Sequence, residues 1–323
     1  MTGKTFVEKI FDAPKSSIVF KKTDIVLSHD NTVSIEKTFE KMGGDKVRYP
    51  DQILNVLDHN APPTNAKLAN DYQQIRRFVQ LQSIDKFYDV GNGICHQIMS
   101  YHASPGMVIV GSDSHTCTAG AFNAFAAGVD RTETAGIWKH GETWFRVPET
   151  IKIILHGKLN DGVFAKDIAL WIIGMLGSSG ADYMSIEYHG DGVKTLSISE
   201  RMTITNLASE MGAKNAVFPP DEMLETFLGE PIKNGVWADD DAVYFKEIEL
   251  NLGEGKHVTD GFQLLVIPAS KKIYLQAMKE GIIATLMESG ANILTPSCGP
   301  CLGTGQGIPA DNCNVISTAN RNF

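Results

Sequence analysis

A chain of 323 residues, 43% of them hydrophobic, is long enough for two or three domains with buried cores of their own. Its formal charge of -9, from 29 basic and 38 acidic residues with no clustered run of Lys or Arg, argues against a nucleic-acid or anionic-membrane surface. Five cysteines and no basic, apolar leader over Met1 to Ser16 point to a reducing cytoplasm, and the longest apolar stretch, around Ile168 to Leu176, falls far short of the roughly 20 residues that span a bilayer.

In chain order, the apolar run Ile25-Val26-Leu27 ends in Ser28-His29-Asp30-Asn31-Thr32, and Ile53 to Leu57 ends in Asp58-His59. Ala66 to Leu81 has the three-to-four-residue apolar spacing of a helix. Phe87 to Val90 reads as a strand before Gly93-Ile94-Cys95-His96-Gln97, and Val108 to Val110 as a strand before Gly111-Ser112-Asp113-Ser114-His115-Thr116. Ile151 to Leu155 predicts another strand, followed by helices over Ala165 to Leu176 and Met202 to Met211. Leu264 to Ile267 (strand), Ser270 to Met287 (helix), Ile293-Leu294 and Val315-Ile316 (strands) complete the alternation, so the class is α/β. Pro148 and the acidic run Asp239-Asp240-Asp241 are the candidate domain borders, and no internal repeat stands out.

Asp113 and His115 follow a strand directly, and ligands of α/β sheets bind at the carboxyl ends of strands. A carboxylate two residues from an imidazole can orient it and raise its pKa, which gives an acid for a leaving hydroxyl; taken alone, the motif is as readily a surface turn with a capping Asp. His59, His96 and His29 also stand at the ends of apolar runs, which suggests convergence on one site. The predicted helix over Met202 to Met211 would place Asn206 and Glu210 on one face, a spacing that by itself is usually a solvated face.

Cys298-Gly299-Pro300-Cys301 is the tightest cysteine pair. A thioredoxin-like redox pair needs a following helix, whereas Gly303, Gly305, Gly307 and Pro309 follow here. Zinc needs two more closely spaced ligands, and Cys313 stands alone. An iron–sulfur cluster suits a glycine-rich turn whose N–H groups can bond anionic sulfides. Cys95, Cys117 and Cys313 fit the plainer role of buried small apolar residues.

Together these motifs, with Thr205-Asn206-Leu207-Ala208-Ser209-Glu210-Met211-Gly212, Trp144-Phe145-Arg146-Val147-Pro148 and Asn320-Arg321-Asn322-Phe323, resemble the aconitase superfamily, and within it the large subunits of 3-isopropylmalate dehydratase and its relatives. The resemblance covers nearly the whole chain. It implies aconitase-like three-layer α/β/α domains over residues 1–148, 149–248 and 249–323, and a hydro-lyase that isomerises a hydroxy di- or tricarboxylic acid by dehydration and rehydration. It further implies a [4Fe–4S] cluster held in part by Cys298 and Cys301. Asp113 and His115 would assist departure of the hydroxyl, Asp58, His59 and His96 would support proton transfer, and Glu210 would sit by the iron-bound water. Asn206 and Asn320 would lie near the cluster, Arg321 would clamp a substrate carboxylate, and His29 would line the pocket. The implied partner is a small subunit carrying the swivelling domain and the catalytic serine. Isopropylmalate is the leading substrate, with homoaconitase and dimethylmalate dehydratase as alternatives; a cluster-free RNA-binding or regulatory role and a thioredoxin-like oxidoreductase are the alternatives of other classes.

The chain departs from the resemblance in one internal place. The family's third cluster cysteine lies in a Gly-(Ser/Thr)-Cys-Thr-Asn-Gly segment, whereas this sequence passes from Ile248-Glu249-Leu250-Asn251-Leu252 straight to Gly253-Glu254-Gly255-Lys256-His257. The expected consequence is a cluster that is absent or incomplete.

Overall fold

The computed structural model describes residues 3–161, 163–254, 265–288 and 291–299. By compactness the chain groups into two units, one from Met1–Val26 and His102–Val258, the other from Leu27–Tyr101 and Thr259–Phe323.

The first unit begins with helix α1 (Phe6–Phe11), fixed by a capping box in which Thr5 and Glu8 satisfy each other's backbone N–H groups, and strand β1 (Ile18–Lys22). Strand β2 (Ile25–Ser28) carries the chain into the second unit, which adds α2 (Thr32–Lys41), β3 (Ile53–Val56), α3 (Ala66–Gln82), β4 (Lys86–Tyr88) and α4 (Cys95–Met99). There β4, β3 and β2 lie side by side, with β3 and β4 parallel. Every residue of β2 and β3 is buried, as a strand covered on both faces requires, which explains why these runs read as continuously apolar.

Back in the first unit come β5 (Val108–Gly111), the long 3-10 segment Ser114–Phe122, β6 (Phe125–Gly128), α5 (Arg131–His140) and β7 (Glu142–Arg146). They are followed by β8 (Thr150–His156), α6 (Ala165–Leu176), β9 (Ser185–His189), α7 (Ile198–Leu207), β10 (Asn215–Val217), α8 (Glu222–Leu228) and β11 (Lys246–Asn251). The strand order β10-β9-β8-β11 forms a wholly parallel sheet, and β5 pairs in parallel with β6. Ile151, Ile153 and Leu155 of β8, Ile186 and Tyr188 of β9, Ile168 and Ile172 of α6, and Leu250 and Leu252 form the core of the parallel sheet. The second unit closes with β12 (Leu265–Val266), α9 (Lys271–Lys279), α10 (Ile282–Glu288) and β13 (Asn292–Ile293), β12 and β13 being parallel.

The α/β class expected from the sequence is the class observed. Two helices differ from expectation. The helix over Ser270 to Met287 is two helices, broken at Gly281, whose φ of +76° no helix accommodates. The helix over Met202 to Met211 starts earlier, at Ile198, because Ser197 and Glu200 form a capping box, and it ends at Leu207 in a 3-10 turn, Ala208–Met211, closed by left-handed Gly212. The strand over Val315-Ile316 lies outside the described residues. Domain borders at residues 148 and 248 remain a proposal; both positions fall within the first unit, before β8 and inside β11. Among the described residues no helix is long and apolar enough to cross a membrane.

Candidate active site

In the first unit the candidate residues gather where β5 ends. Asp113 caps the 3-10 segment, its Oδ1 accepting the His115 N–H at 2.7 Å, so the turn that follows β5 is closed by the same carboxylate that faces the imidazole. His115 Nδ1 lies 3.6 Å from Asp113 Oδ1, and His115 Nε2 lies 2.9 Å from Glu210 Oε1, on the 3-10 turn after α7. The imidazole is thus held between two carboxylates in a mostly buried setting. Burial disfavours its charged form, but bonding to Asp113 and Glu210 and the charges of both outweigh that cost and raise its pKa above the ordinary 6.5.

Asn206 reaches the same neighbourhood from the last turn of α7: its Nδ2 donates to Thr118 Oγ1 at 2.8 Å, while its buried Oδ1 has no hydrogen-bond partner among the described residues. An orphaned acceptor beside an acid–base pair is an opening for a donor on a ligand. The expected i, i+4 relation of Asn206 and Glu210 on one helix does not hold, because the helix ends between them and the tighter turn aims Glu210 at His115. Two glycines make this packing feasible. A Cβ on Gly120 would stand 1.6 Å from the Ala216 carbonyl oxygen, and one on Gly128 would stand 2.9 Å from the Asp113 carbonyl oxygen.

The second unit holds the other group. Asp58 is fully buried; its Oδ1 accepts from His59 Nδ1 at 2.8 Å and its Oδ2 from the Cys95 N–H at 2.6 Å. Burial pushes the Asp58 carboxyl up, but His59, His29 and the Cys95 N–H prevail and hold it below its ordinary value. His29 stacks on His59 with ring centroids 3.9 Å apart and planes 18° apart, and His96 follows Cys95 in the first turn of α4. Asp30, which the sequence reading left without a role although it sits in the His29 motif, is the organiser. Its Oδ1 accepts from the Asp58 and His59 N–H groups, its Oδ2 from the Asn60 N–H and the Tyr72 hydroxyl. Donor atoms of His29, Asp30, Asp58 and His59 all lie within 4.8 Å of one another. Because both Asp30 oxygens already take two donors each, we read the group as a hydrogen-bond hub rather than a cation site.

A pocket opens beside this hub, lined by His59, Asn60, Pro62, Thr295, Ser297 and Gly299. Cys298, next in chain, donates its N–H to the Asp58 carbonyl oxygen at 3.2 Å, and its Sγ lies 3.8 Å from Asp58 Oδ2. Cys301, Asn320 and Arg321 lie outside the described residues.

The thiols can be tested against the cluster that the resemblance implies. Cys298 brings its sulfur to the edge of the Asp58 hub, and no cluster of metal-ligating side chains among the described residues joins it to a second thiol. The buried thiol of Cys117 donates to the Thr205 carbonyl oxygen at 3.1 Å, and burial pushes its pKa up to about 12, which makes it costly to recruit as a thiolate ligand. Cys95 is fully buried. The thiols among the described residues therefore do not make up a three-thiolate site.

Parallel sheets that present an imidazole between two carboxylates at a strand's carboxyl end put these side chains where proteins of the α/β class bind their ligands. A family model described as the aconitase family (aconitate hydratase) matches residues 5–254 and 246–323. The chain is 37% identical over 386 aligned residues to 3-isopropylmalate dehydratase large subunit 1 of Methanopyrus kandleri, covering 99% of this chain and 91% of that protein. It is 36% identical to the protein of the same name from Thermotoga maritima, over 99% of this chain and 91% of the relative. The methanogen homoaconitase large subunit of Methanocaldococcus jannaschii is also 36% identical, over 99% and 92%. The chain belongs to the aconitase family and is a hydro-lyase chain of that family.

The same comparisons locate the internal departure. An alignment of 386 positions against a chain of 323 residues leaves at least 63 positions of the Methanopyrus protein without a counterpart here, and the two family matches meet at residues 246–254. That junction spans β11 and the turn after it, and the resemblance expects the third cysteine segment there.

Proposed function

We propose that this chain is the large subunit of a two-subunit hydro-lyase acting on a hydroxy di- or tricarboxylic acid, with 3-isopropylmalate as the leading substrate and the homoaconitase substrate class as the alternative. The names of its relatives support the two-subunit organisation and the choice of substrate. The observation that carries the acid–base reading is the placement of His115 between Asp113 and Glu210.

In this reading Asp113 and Glu210 keep His115 charged, its imidazolium gives its proton to the departing hydroxyl, which leaves as water, and the C–H proton passes to the serine base of the small subunit, leaving His115 neutral for the reverse step. On rehydration the same nitrogen takes a proton from the incoming water. Asn206 Oδ1 accepts from a hydroxyl of the bound acid, and Arg321 pairs with one of its carboxylates. Asp58 and His59 form the second proton-handling pair, with His29 stacked on His59 and His96 following Cys95, whose N–H donates to Asp58. Of the cluster, the chain offers the pair Cys298 and Cys301, and a third thiolate would have to come from beyond these two.

The test is to co-express the chain with candidate small subunits and follow the unsaturated product by absorbance over a panel of hydroxy acids. Turnover of isopropylmalate that His115→Gln abolishes supports the reading; turnover by this chain alone, or turnover indifferent to His115, overturns it.

A further inference from the structure

The motif Trp144-Phe145-Arg146 has no part in the chemistry, yet the structure puts it to use. β1 and β7 form an antiparallel two-stranded ribbon with Ile18 opposite Arg146, Phe20 opposite Trp144 and Lys22 opposite Glu142. The inner face is accounted for: Phe145 is buried, with its ring centroid 5.0 Å from that of Phe11 and 5.5 Å from that of Phe125. A ribbon with one face on the core and the other in water carries polar side chains on its outer face. Here the outer face presents Ile18, Phe20 and Trp144, exposed by 68%, 72% and 50%.

The charges that frame this strip indicate what covers it. Along the outer face β7 reads Glu142, Trp144, Arg146, acidic at one end and basic at the other about a central aromatic. Neither Glu142 nor Arg146 makes an ion pair among the described residues; Arg146 stacks over Tyr183 at 4.6 Å, a contact that leaves its outer edge open to a carboxylate. A two-fold axis in the plane of the face and across the strands lays β7 antiparallel on its own copy. It sets Trp144 against Trp144 and Phe20 against Phe20 at the centre, with a Glu142–Arg146 pair at each end. Such a surface is self-complementary, as an isologous interface must be.

We propose that the outer face of the β1–β7 ribbon is a homodimer interface, through which two copies of this chain associate by burying Phe20 and Trp144 between two reciprocal Glu142–Arg146 pairs. The six outward residues of the ribbon make a smaller surface than the roughly 800 Å² per partner of a standard stable interface, so a weak association, of roughly micromolar strength, is expected. With a charge of -9 on each copy, the reciprocal pairs also supply the local attraction that offsets general repulsion.

Sedimentation velocity of the full chain over a range of micromolar concentrations tests the proposal. The wild type shifts from monomer to dimer. Glu142→Arg or Arg146→Glu alone weakens the dimer about tenfold or more by placing like charges at both ends, and the double reversal restores it to within about threefold. Phe20→Glu abolishes it, with the thermal midpoint and circular dichroism of each variant showing that the fold is kept. A chain that stays monomeric throughout, a dimer indifferent to the single reversals, or a double reversal that fails to restore association overturns the proposal. So does a Phe20→Glu variant that keeps its homodimer but loses a co-expressed small subunit, since the face would then belong to that partner.

Discussion

His115 Nε2 and Glu210 Oε1 meet at 2.9 Å although 95 residues separate them in sequence. The contact joins the turn after β5 to the turn after α7. Its geometry depends on two helix-end decisions made locally: the Asp113 cap that starts the 3-10 segment and the Gly212 terminus that ends the turn carrying Glu210.

The pH dependence of the site follows from the direction of the His115 shift. In the proposed mechanism the imidazolium is the acid, and its pKa is raised above 6.5, so turnover by the assembled enzyme should fall as pH rises through that raised value. Glu210→Gln removes one of the carboxylates that raise it and shifts the falling limb to lower pH, with a loss of roughly 10²-fold in kcat. The same shift appears in folding: the stabilisation due to charged His115 is full below its unfolded value and is lost as pH rises through the folded one. Urea midpoints measured on both sides of neutrality check this, and a wild type and Glu210→Gln variant with superimposable pH profiles would refute it.

Substituting either close-packed glycine tests the frame without touching a titrating group. Gly120→Ala drives a methyl into the Ala216 carbonyl, and because backbone is on the other side of the contact, the 3-10 segment or β10 must move. The expected cost is about 1–3 kcal/mol in urea unfolding, with turnover falling by more than stability alone accounts for. Gly128→Ala crowds Asp113 and Ser114 in the same way, at a milder 2.9–3.0 Å.

Arg201 anchors the helix that delivers Asn206. It is fully buried, its guanidinium held in two bonds to Asp221 at 2.6 and 2.8 Å and donating further to the Val193 and Leu196 carbonyl oxygens. Asp221→Ala would leave that buried charge without its partner and should cost about 3–5 kcal/mol, whereas Arg201→Met, which removes the charge with its site, should cost less. Equal losses in thermal or urea unfolding would show that the pair matters only as packing.

Much of this was legible in the sequence, for identifiable reasons. Asp113 and His115 were readable because a short β-branched strand and a capping turn place chemistry at a strand end by local rules alone. Asp30 was not, since its role is to accept from the backbone of residues 58–60 and from Tyr72, contacts set by the pairing of distant elements. The Asn206 and Glu210 relation was misread because apolar periodicity continues through residues 208–211 while the capping box at Ser197 shifts the helix start and Gly212 sets its end. Arg201 was invisible for a plainer reason: a cation in a helix pattern reads as a solvated face, and only burial shows otherwise.

The thiol inventory makes the last prediction. Cys117 is held as a neutral thiol and Cys95 is buried, while relatives carry at least 63 aligned positions that this 323-residue chain lacks in alignments of 386. Anaerobic reconstitution of this chain with iron and sulfide should therefore leave substoichiometric iron by chemical assay, and less than the Methanopyrus relative treated in parallel should hold. Grafting the relative's extra segment at the junction after β11 should restore iron retention, and Cys298→Ser in the grafted chain should reduce it again. A full cluster on the ungrafted chain would mean that Cys298 and Cys301 find a third ligand elsewhere. Cys117→Ser and Cys95→Ser, read by iron content rather than turnover, would then identify whether either buried thiol serves.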